Sequence, residues 1–333
     1  MRLLLQPVPD ESVFCDSEYF IWGASMVRDP EGWCHLFYSR WKKEYGFNAW
    51  VSHSEVAHAV SENPTGPYRH VDVALSARGT SYWDGCCTHN PTVHEADGRF
   101  YLFYMGNTGD GKREPDSRSW NWTHRNNQRI GVAVAEHPSG PWKRMGQPLI
   151  APDESELMVS NPAVARRPGD PWTLIYKAVK KERPLPFGGP VVHRVAFADN
   201  PAGPFRAEPL PIFGKNGDDF PAEDPFLWFG QDGFRIILKD MNGSFSGMER
   251  SLVMLRSADA INWDLSEVQQ LSGRSLCFEN GEMRTFDFLE RAQLFIENGE
   301  PSILFCAARS GTETMNLHIP LTMIHEDETG QGN

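Results

Sequence analysis

The chain has 333 residues, 40% hydrophobic and 12% aromatic, with 11 tryptophans and a formal net charge of −12. So acidic a protein is ill suited to a nucleic-acid backbone, which needs a basic face, and no apolar run reaches the ~18–20 residues that span a bilayer. The first ten residues hold one arginine and a three-leucine run and lack the form of a secretory signal. The chain as written is therefore expected in the cytoplasm, or in the periplasm or outside the cell if a leader has been trimmed.

In chain order, a strand within Met1–Ile21 is expected to close the fold by pairing with its last part. One phrase then recurs five times. Unit 1 opens with Trp22-Gly23-Ala24-Ser25-Met26-Val27, turns at Pro30-Glu31-Gly32, and turns again at Pro64-Thr65-Gly66-Pro67-Tyr68. Unit 2 opens with His89-Asn90-Pro91-Thr92-Val93, turns at Ala96-Asp97-Gly98 and continues through Phe100–Tyr104 and Ile130–Ala135 to Pro138-Ser139-Gly140-Pro141-Trp142. Unit 3 opens with Ser160-Asn161-Pro162-Ala163-Val164, turns at Pro168-Gly169-Asp170-Pro171 and reaches Pro201-Ala202-Gly203-Pro204-Phe205. Unit 4 opens with Glu223-Asp224-Pro225-Phe226-Leu227, turns at Gln231-Asp232-Gly233 and carries Ser257–Trp263 in place of the proline turn. Unit 5 opens with Glu290-Arg291-Ala292-Gln293-Leu294 and turns at Glu297-Asn298-Gly299. Its third strand is expected over Met315–Leu321, with a frayed tail at Glu326–Asn333.

Measured from Ala24, Asn90, Asn161, Asp224 and Arg291, the intervals are 66, 71, 63 and 67 residues. Asp-Gly and Asn-Gly between β-rich runs signal hairpins, and the proline-glycine turns each lead an aromatic into a fourth strand. Four short strands per repeat without a helical period describe a propeller blade. The expectation is one all-β domain, a five-bladed β-propeller with four-stranded antiparallel blades near 15–80, 81–150, 151–212, 213–275 and 276–325. A sandwich needs no repeat of this length, and a β-helix coil is far shorter.

Inner strands of a propeller converge on one axis, so the phrase marks a ring of residues far apart in sequence. The framing is retained while the polar residue changes, which suits a common frame carrying an asymmetric site. Candidate carboxylates are Asp84, just ahead of the unit 2 inner strand, the adjacent Glu223 and Asp224, and Glu290. His89, Asn90, Asn161, Lys177, Asp240 and Arg291 are candidate binding residues. Trp22 and Trp83, with Trp120 and Trp122 in the long polar loop Asn107–Gln128, offer flat faces to a sugar ring. Glu249-Arg250 reads as a surface pair. The six cysteines show no metal spacing and read as free buried thiols. There is no phosphate loop and no G-x-S-x-G elbow.

These residues resemble the five-bladed propeller glycoside hydrolases of families 43, 32, 68, 117 and 130, over about residues 15–321. The carriers are the Asn/Asp-Pro phrases, the Arg99–Tyr104 strand and the Asn-Pro-x-Gly-Pro-aromatic turns. In family 43 the resemblance implies a general base Asp in blade 1, an orienting Asp in blade 2 and a general acid Glu ahead of a proline, for which Glu223-Asp224-Pro225 is similar. The blade 1 position is Ala24, and Asn90 and Asn161 also stand where an Asp would be expected. Glu290-Arg291 resembles a Glu-Arg pair in relatives of family 117. The implied activity is glycoside hydrolysis; a blind-ended funnel adds the expectation of exo action, and the roles assigned to this chain are Glu223 as acid, Asp84 as base or nucleophile, and Asp224 and Glu290 as alternates. The expected partner is a carbohydrate, with no membrane and no nucleic acid. No cofactor is required, a structural cation in the channel is left open, and oligomeric state is not readable. A glycoside phosphorylase using Lys177, Lys239, Arg291 and Arg309 for phosphate, and a noncatalytic sugar-binding propeller, are the alternatives.

Overall fold

The structure, a computed structural model, describes residues 1–113, 120–213 and 218–324. These residues form five antiparallel sheets in a ring, a five-bladed β-propeller. From the axis outward, blade 1 runs Tyr19–Arg28, Cys34–Lys42, Glu55–Ser61 and Arg69–Leu75. Blade 2 runs Cys87–Ala96, Arg99–Asn107, Arg129–Ala135 and Lys143–Arg144, and blade 3 runs Glu156–Arg166, Trp172–Lys180, Val191–Ala198 and Arg206–Ala207. Blade 4 runs Ala222–Gly230, Gly233–Asp240, Ser251–Ser257 and Trp263–Ser272. Blade 5 has Phe288–Glu297, Glu300–Ser310 and Glu313–Ile324, and its outermost strand is the N-terminal Arg2–Leu5, paired with Leu321–Ile324. Closure by the N-terminal strand is as expected. It covers the edge that an open last blade would expose to other chains. The third strand of blade 5 extends beyond both ends of the expected Met315–Leu321, and the tail Glu326–Asn333 lies outside the described residues.

Side chains alternate between faces along a strand, so each inner strand feeds two cores, one with each neighbouring blade. Phe226 and Ile237 pack toward blade 5, with Leu294 and Leu304. Their chain neighbours Leu227 and Ile236 pack toward blade 3, with Ala163 and Ile175. The same arrangement joins blades 1 and 5 through Ile21 and Phe305, blades 2 and 3 through Phe103 and Leu174, and blades 1 and 2 through Phe37 and Leu102. Strands buried on both faces read as continuous apolar runs, which is why the repeat is visible in the sequence.

The turns behave as their residues dictate. Asp97-Gly98 and Asn298-Gly299 both take left-handed dihedrals at each position, the geometry of a two-residue hairpin turn. In the outer turns Tyr68 Oη donates to Pro64 O at 3.0 Å and Trp142 Nε1 to Pro138 O at 3.1 Å. Each aromatic thereby pins its own turn and enters an inter-blade core. All six cysteines are free; Cys15 and Cys277 are exposed rather than buried.

The recurring phrase is a bulge. In every inner strand the pairing register slips at the phrase. The residue there has positive φ: Gly23 (33°), Asn90 (50°), Asn161 (54°), Asp224 (56°) and Arg291 (56°). The blade 1 equivalent of Asn90 is therefore Gly23, one residue before the expected Ala24, which is instead a core residue of blades 1 and 5. Glycine, asparagine and aspartate tolerate this region, and Arg291 occupies it without that help. A Cβ on Gly23 would lie 3.3 Å from both Arg291 Nε and Asn90 Oδ1. Gly23→Ala is expected to lower stability by about 1–3 kcal/mol through backbone strain and crowding at the axis, read as a lower denaturant midpoint. An unchanged midpoint would mean the axis relaxes freely.

Candidate active site

The five bulge residues close the axis. Asn90 Nδ2 donates to Asn161 Oδ1 at 3.0 Å, and Asn161 Nδ2 donates to Asp224 Oδ1 at 2.7 Å. Arg291 Nη1 reaches the same Asp224 oxygen at 3.4 Å. Gly23 leaves the fifth place to the Arg291 and Asn90 side chains. All four polar side chains are buried. This ring forms the floor of a funnel enclosing about 530 Å³. Asn90, Asn161, Asp224 and Arg291 thus belong to the site as its base, knitted to one another.

The bulge turns the preceding residue toward the funnel: Trp22, His89, Glu223 and Glu290 line it, while Ser160 does not. A second device supplies their partners. Lys177 lies across from Ser160, and Lys239 across from Glu223, on the second strands of blades 3 and 4. Each lysine reaches the glutamate of the next blade. Lys177 Nζ donates to Glu223 at 2.5 Å, and Lys239 Nζ to Glu290.

The two glutamates differ in electrostatics although they are equivalent in the repeat. Burial pushes Glu223 up, but Lys177 and Lys239 together outweigh it and hold the carboxyl down at about 2. Burial is also the main force pushing Glu290 up; Lys239 pulls against it, the charges of Asp224 and Glu223 add to it, and the carboxyl is left at about 7. Asp224 is raised by burial and by Glu223, against the pull of Arg291. At neutral pH the funnel therefore holds one firmly ionised carboxylate and one carboxyl that keeps much of its proton.

His89 Nδ1 is 2.7 Å from Ser54 Oγ, and its ring stacks on Trp50 with centroids 4.8 Å apart. Burial, with Arg291 adding to it, lowers His89 well below the usual imidazole value, so it is neutral. Above it an aromatic wall climbs to the rim: Trp50 meets Trp120 edge-on at 5.5 Å, and Trp120 stacks on Trp122 at 6.2 Å. The loop carrying these tryptophans is anchored by buried His124, whose nitrogens lie 2.7 Å from Asn107 Oδ1 and from Lys112 O. Arg125, in the short helix Trp122–Asn126, donates to Phe187 O at 2.8 Å and so joins the loops of blades 2 and 3.

Three expected site residues lie elsewhere. Asp84 does not line the funnel. It is fully buried, taking Arg78 Nε at 2.7 Å, Tyr104 Oη at 2.7 Å and Arg144 Nη1 at 3.3 Å. Its place ahead of the blade 2 inner strand puts it against the middle of that blade and away from the axis. Trp83 stacks on Tyr104 beside it. Asp240 is buried as a loop anchor, accepting from Phe245 N, Ser246 N and Ser246 Oγ. Conversely, Trp50, Phe47, Arg125, Phe187 and Arg250 line the funnel unforeseen. Their only sequence signal is aromatic density in residues 41–50 and in the loops of blades 2 and 3. Arg250, expected as a surface pair, has φ 57° and turns its side chain to the funnel.

Among the described residues, Asp29, Glu31 and His137 lie close enough together to hold a metal ion, and none of them lines the funnel. Ser139 N donates to His137 Nδ1 at 3.1 Å, which leaves the ring proton on Nε2, facing the two carboxylates. In that tautomer one ring nitrogen is protonated and the other already accepts a hydrogen bond, so neither offers a free lone pair to a metal.

No protein-family model matches the sequence, and neither does any curated protein. Solved structures do share the fold. A family 117 glycoside hydrolase of the marine bacterium Zobellia galactanivorans superposes with a TM-score of 0.64 at 16% identity, over 96% of this chain and 90% of that one. An endo-arabinase from Bacteroides thetaiotaomicron gives 0.60 at 14% identity, over 97% and 98%. A thermostable family 43 glycoside hydrolase gives 0.63 at 12% identity, over 99% and 100%. At these identities the likeness establishes the fold, which is that of the five-bladed propeller glycoside hydrolases.

Proposed function

We propose that this chain is an exo-acting glycoside hydrolase in which Glu290 is the general acid and Glu223 the general base or nucleophile. The observation that carries the reading is the pair of glutamates facing one funnel with their titrations driven apart, to about 7 and about 2. Opposed shifts of this kind divide acid from base roles between two carboxyl groups. Glu290 would give its proton to the glycosidic oxygen as the bond to the anomeric carbon breaks. The Glu223 carboxylate would take a proton from an attacking water, or attack the anomeric carbon itself. This reverses the role expected for Glu223 and leaves none for Asp84. Asp224, tied to Asn161 and Arg291, would act on the titration of Glu290 rather than on substrate. His89, Trp22 and Trp50 would hold hydroxyls and a ring face. The closed floor supports exo action, because a chain cannot thread past it. The family 117 and family 43 neighbours support glycosidic substrates in general, and neither sugar nor linkage follows from them.

The test is a turnover screen on aryl glycosides and on plant and algal oligosaccharides, with products read by mass. Glu223→Gln is expected to lower kcat on any substrate found by ~10²–10⁴-fold while leaving the melting temperature near that of the parent. Retained turnover in Glu223→Gln would remove the assignment. Cleavage that requires inorganic phosphate would replace hydrolysis by phosphorolysis, a reading favoured by the lysines and arginines of the funnel. Tight glycan binding with no products would favour a noncatalytic binding protein.

A further inference from the structure

The protein as a whole carries −12, yet its funnel is cationic. Among the described lining residues, six side chains are lysine or arginine and three are carboxylates. Lys177, Lys239 and Arg291 are each committed to one of those carboxylates. Arg125, Arg250 and Arg309 are not: none forms a salt bridge among the described residues, and Glu223 acts on Arg125 through its charge without pairing with it. Arg309 gives Nε to Gly311 O at 2.8 Å and lies 4.4 Å over the Phe47 ring. Arg125 gives Nη1 to neutral oxygens and lies over Trp122 and Phe187 at 5.7 and 5.1 Å. The exposed Arg250 has no side-chain bond among the described residues; its backbone N–H donates to Asp240 O at 2.5 Å.

An uncharged sugar gains little from three guanidinium groups around a narrow cavity and does nothing to relieve their mutual repulsion, which among them only Arg125 has eased by the charge of Glu223. A concave, low-dielectric wall of one sign concentrates the field and draws in the opposite sign. A guanidinium fork matches the paired oxygens of a carboxylate or sulfate, and aromatic faces beneath Arg125 and Arg309 hold their planes in place before any ligand arrives. We infer that the sugar bound in this funnel carries an anionic oxygen group, a uronate carboxylate or a sulfate ester, held by Arg125, Arg250 and Arg309. The inference rests on the reading of the funnel as a glycan site.

Titration calorimetry on the full chain with galacturonate, galactose 6-sulfate, galactose and inorganic phosphate tests it. One charged sugar is expected to bind at least ~10-fold tighter than galactose, as one good charge-assisted pair provides, and to weaken as sodium chloride rises. Which of the two binds identifies the group. Arg250→Gln combined with Arg309→Gln is expected to remove most of that preference, and Arg309→Lys, which keeps the charge but loses the fork, to remove part of it. Galactose binding as tightly as both charged sugars, no binding of either, or a preference that survives the double substitution would overturn the inference. So would binding of phosphate alone, which would assign the arginines to phosphorolysis. Hydrolysis of neutral glycans without charge preference would sink this inference and leave the hydrolase reading standing. Tight binding of a charged sugar, with no cleavage of any glycan bearing it, would do the reverse.

Discussion

Glu290→Gln lowers kcat by ~10²–10⁴-fold and removes the alkaline limb of the pH–rate profile. The acid must carry its proton, and with its titration raised to about 7, activity of the parent declines as pH climbs through that value. At the other end Glu223 must be ionised, and at about 2 it remains so throughout the usable range, so no acid limb from it is expected above pH ~3. The limb should also respond to Lys239, whose charge opposes the rise of Glu290. Lys239→Met removes that opposition, so Glu290 holds its proton to higher pH and the alkaline limb moves upward. kcat against pH for the three proteins decides the matter. A limb that stays in place in Glu290→Gln would show that another group is the acid, and a downward move in Lys239→Met would contradict the electrostatic account. Glu290 sits only 13% exposed beside that lysine, so its proton exchange depends on the funnel being open to water or substrate.

Asp84→Ala costs about 3–5 kcal/mol of folding free energy, the usual consequence of removing one partner from a buried charged cluster. The carboxylate has no exposed surface and binds Arg78, Arg144 and Tyr104. Without it two guanidinium groups are left beside an unpaired tyrosine hydroxyl. Arg78 is 19% exposed and Arg144 10%, so water can recover part of the loss and the lower end of the range is expected. Turnover per folded molecule should change by less than ~3-fold, because additivity between distant sites is the rule. Denaturation with guanidinium chloride gives the first number, and active-site-normalised kinetics the second. Full stability with kcat reduced by orders of magnitude would return Asp84 to the catalytic centre. Together with the Glu290 series this separates a carboxylate that builds the blade from one that does chemistry.

Much of this was legible in the residues. Repeats of about 67 residues, each with hairpin dipeptides and a proline-glycine turn, are local signals, and local signals survive in sequence. They determined the five blades, the closing N-terminal strand, and the convergence of Asn90, Asn161, Asp224 and Arg291. The resemblance drawn from the same phrases agrees with the fold of the solved glycoside hydrolases. Tertiary structure alone decided three further points. The bulge assigned the ring position in blade 1 to Gly23 instead of Ala24, because one extra residue in a strand exchanges its two faces, and no local pattern marks where the slip falls. The distance from a strand end to the axis put Asp84 inside blade 2, where Arg144 meets it from 60 residues away. Glu223 and Glu290 open equivalent phrases and look interchangeable in sequence, yet one is pulled down and the other pushed up. Titration depends on every charge within several ångströms; those charges arrive from neighbouring blades, and only the closed ring brings them there.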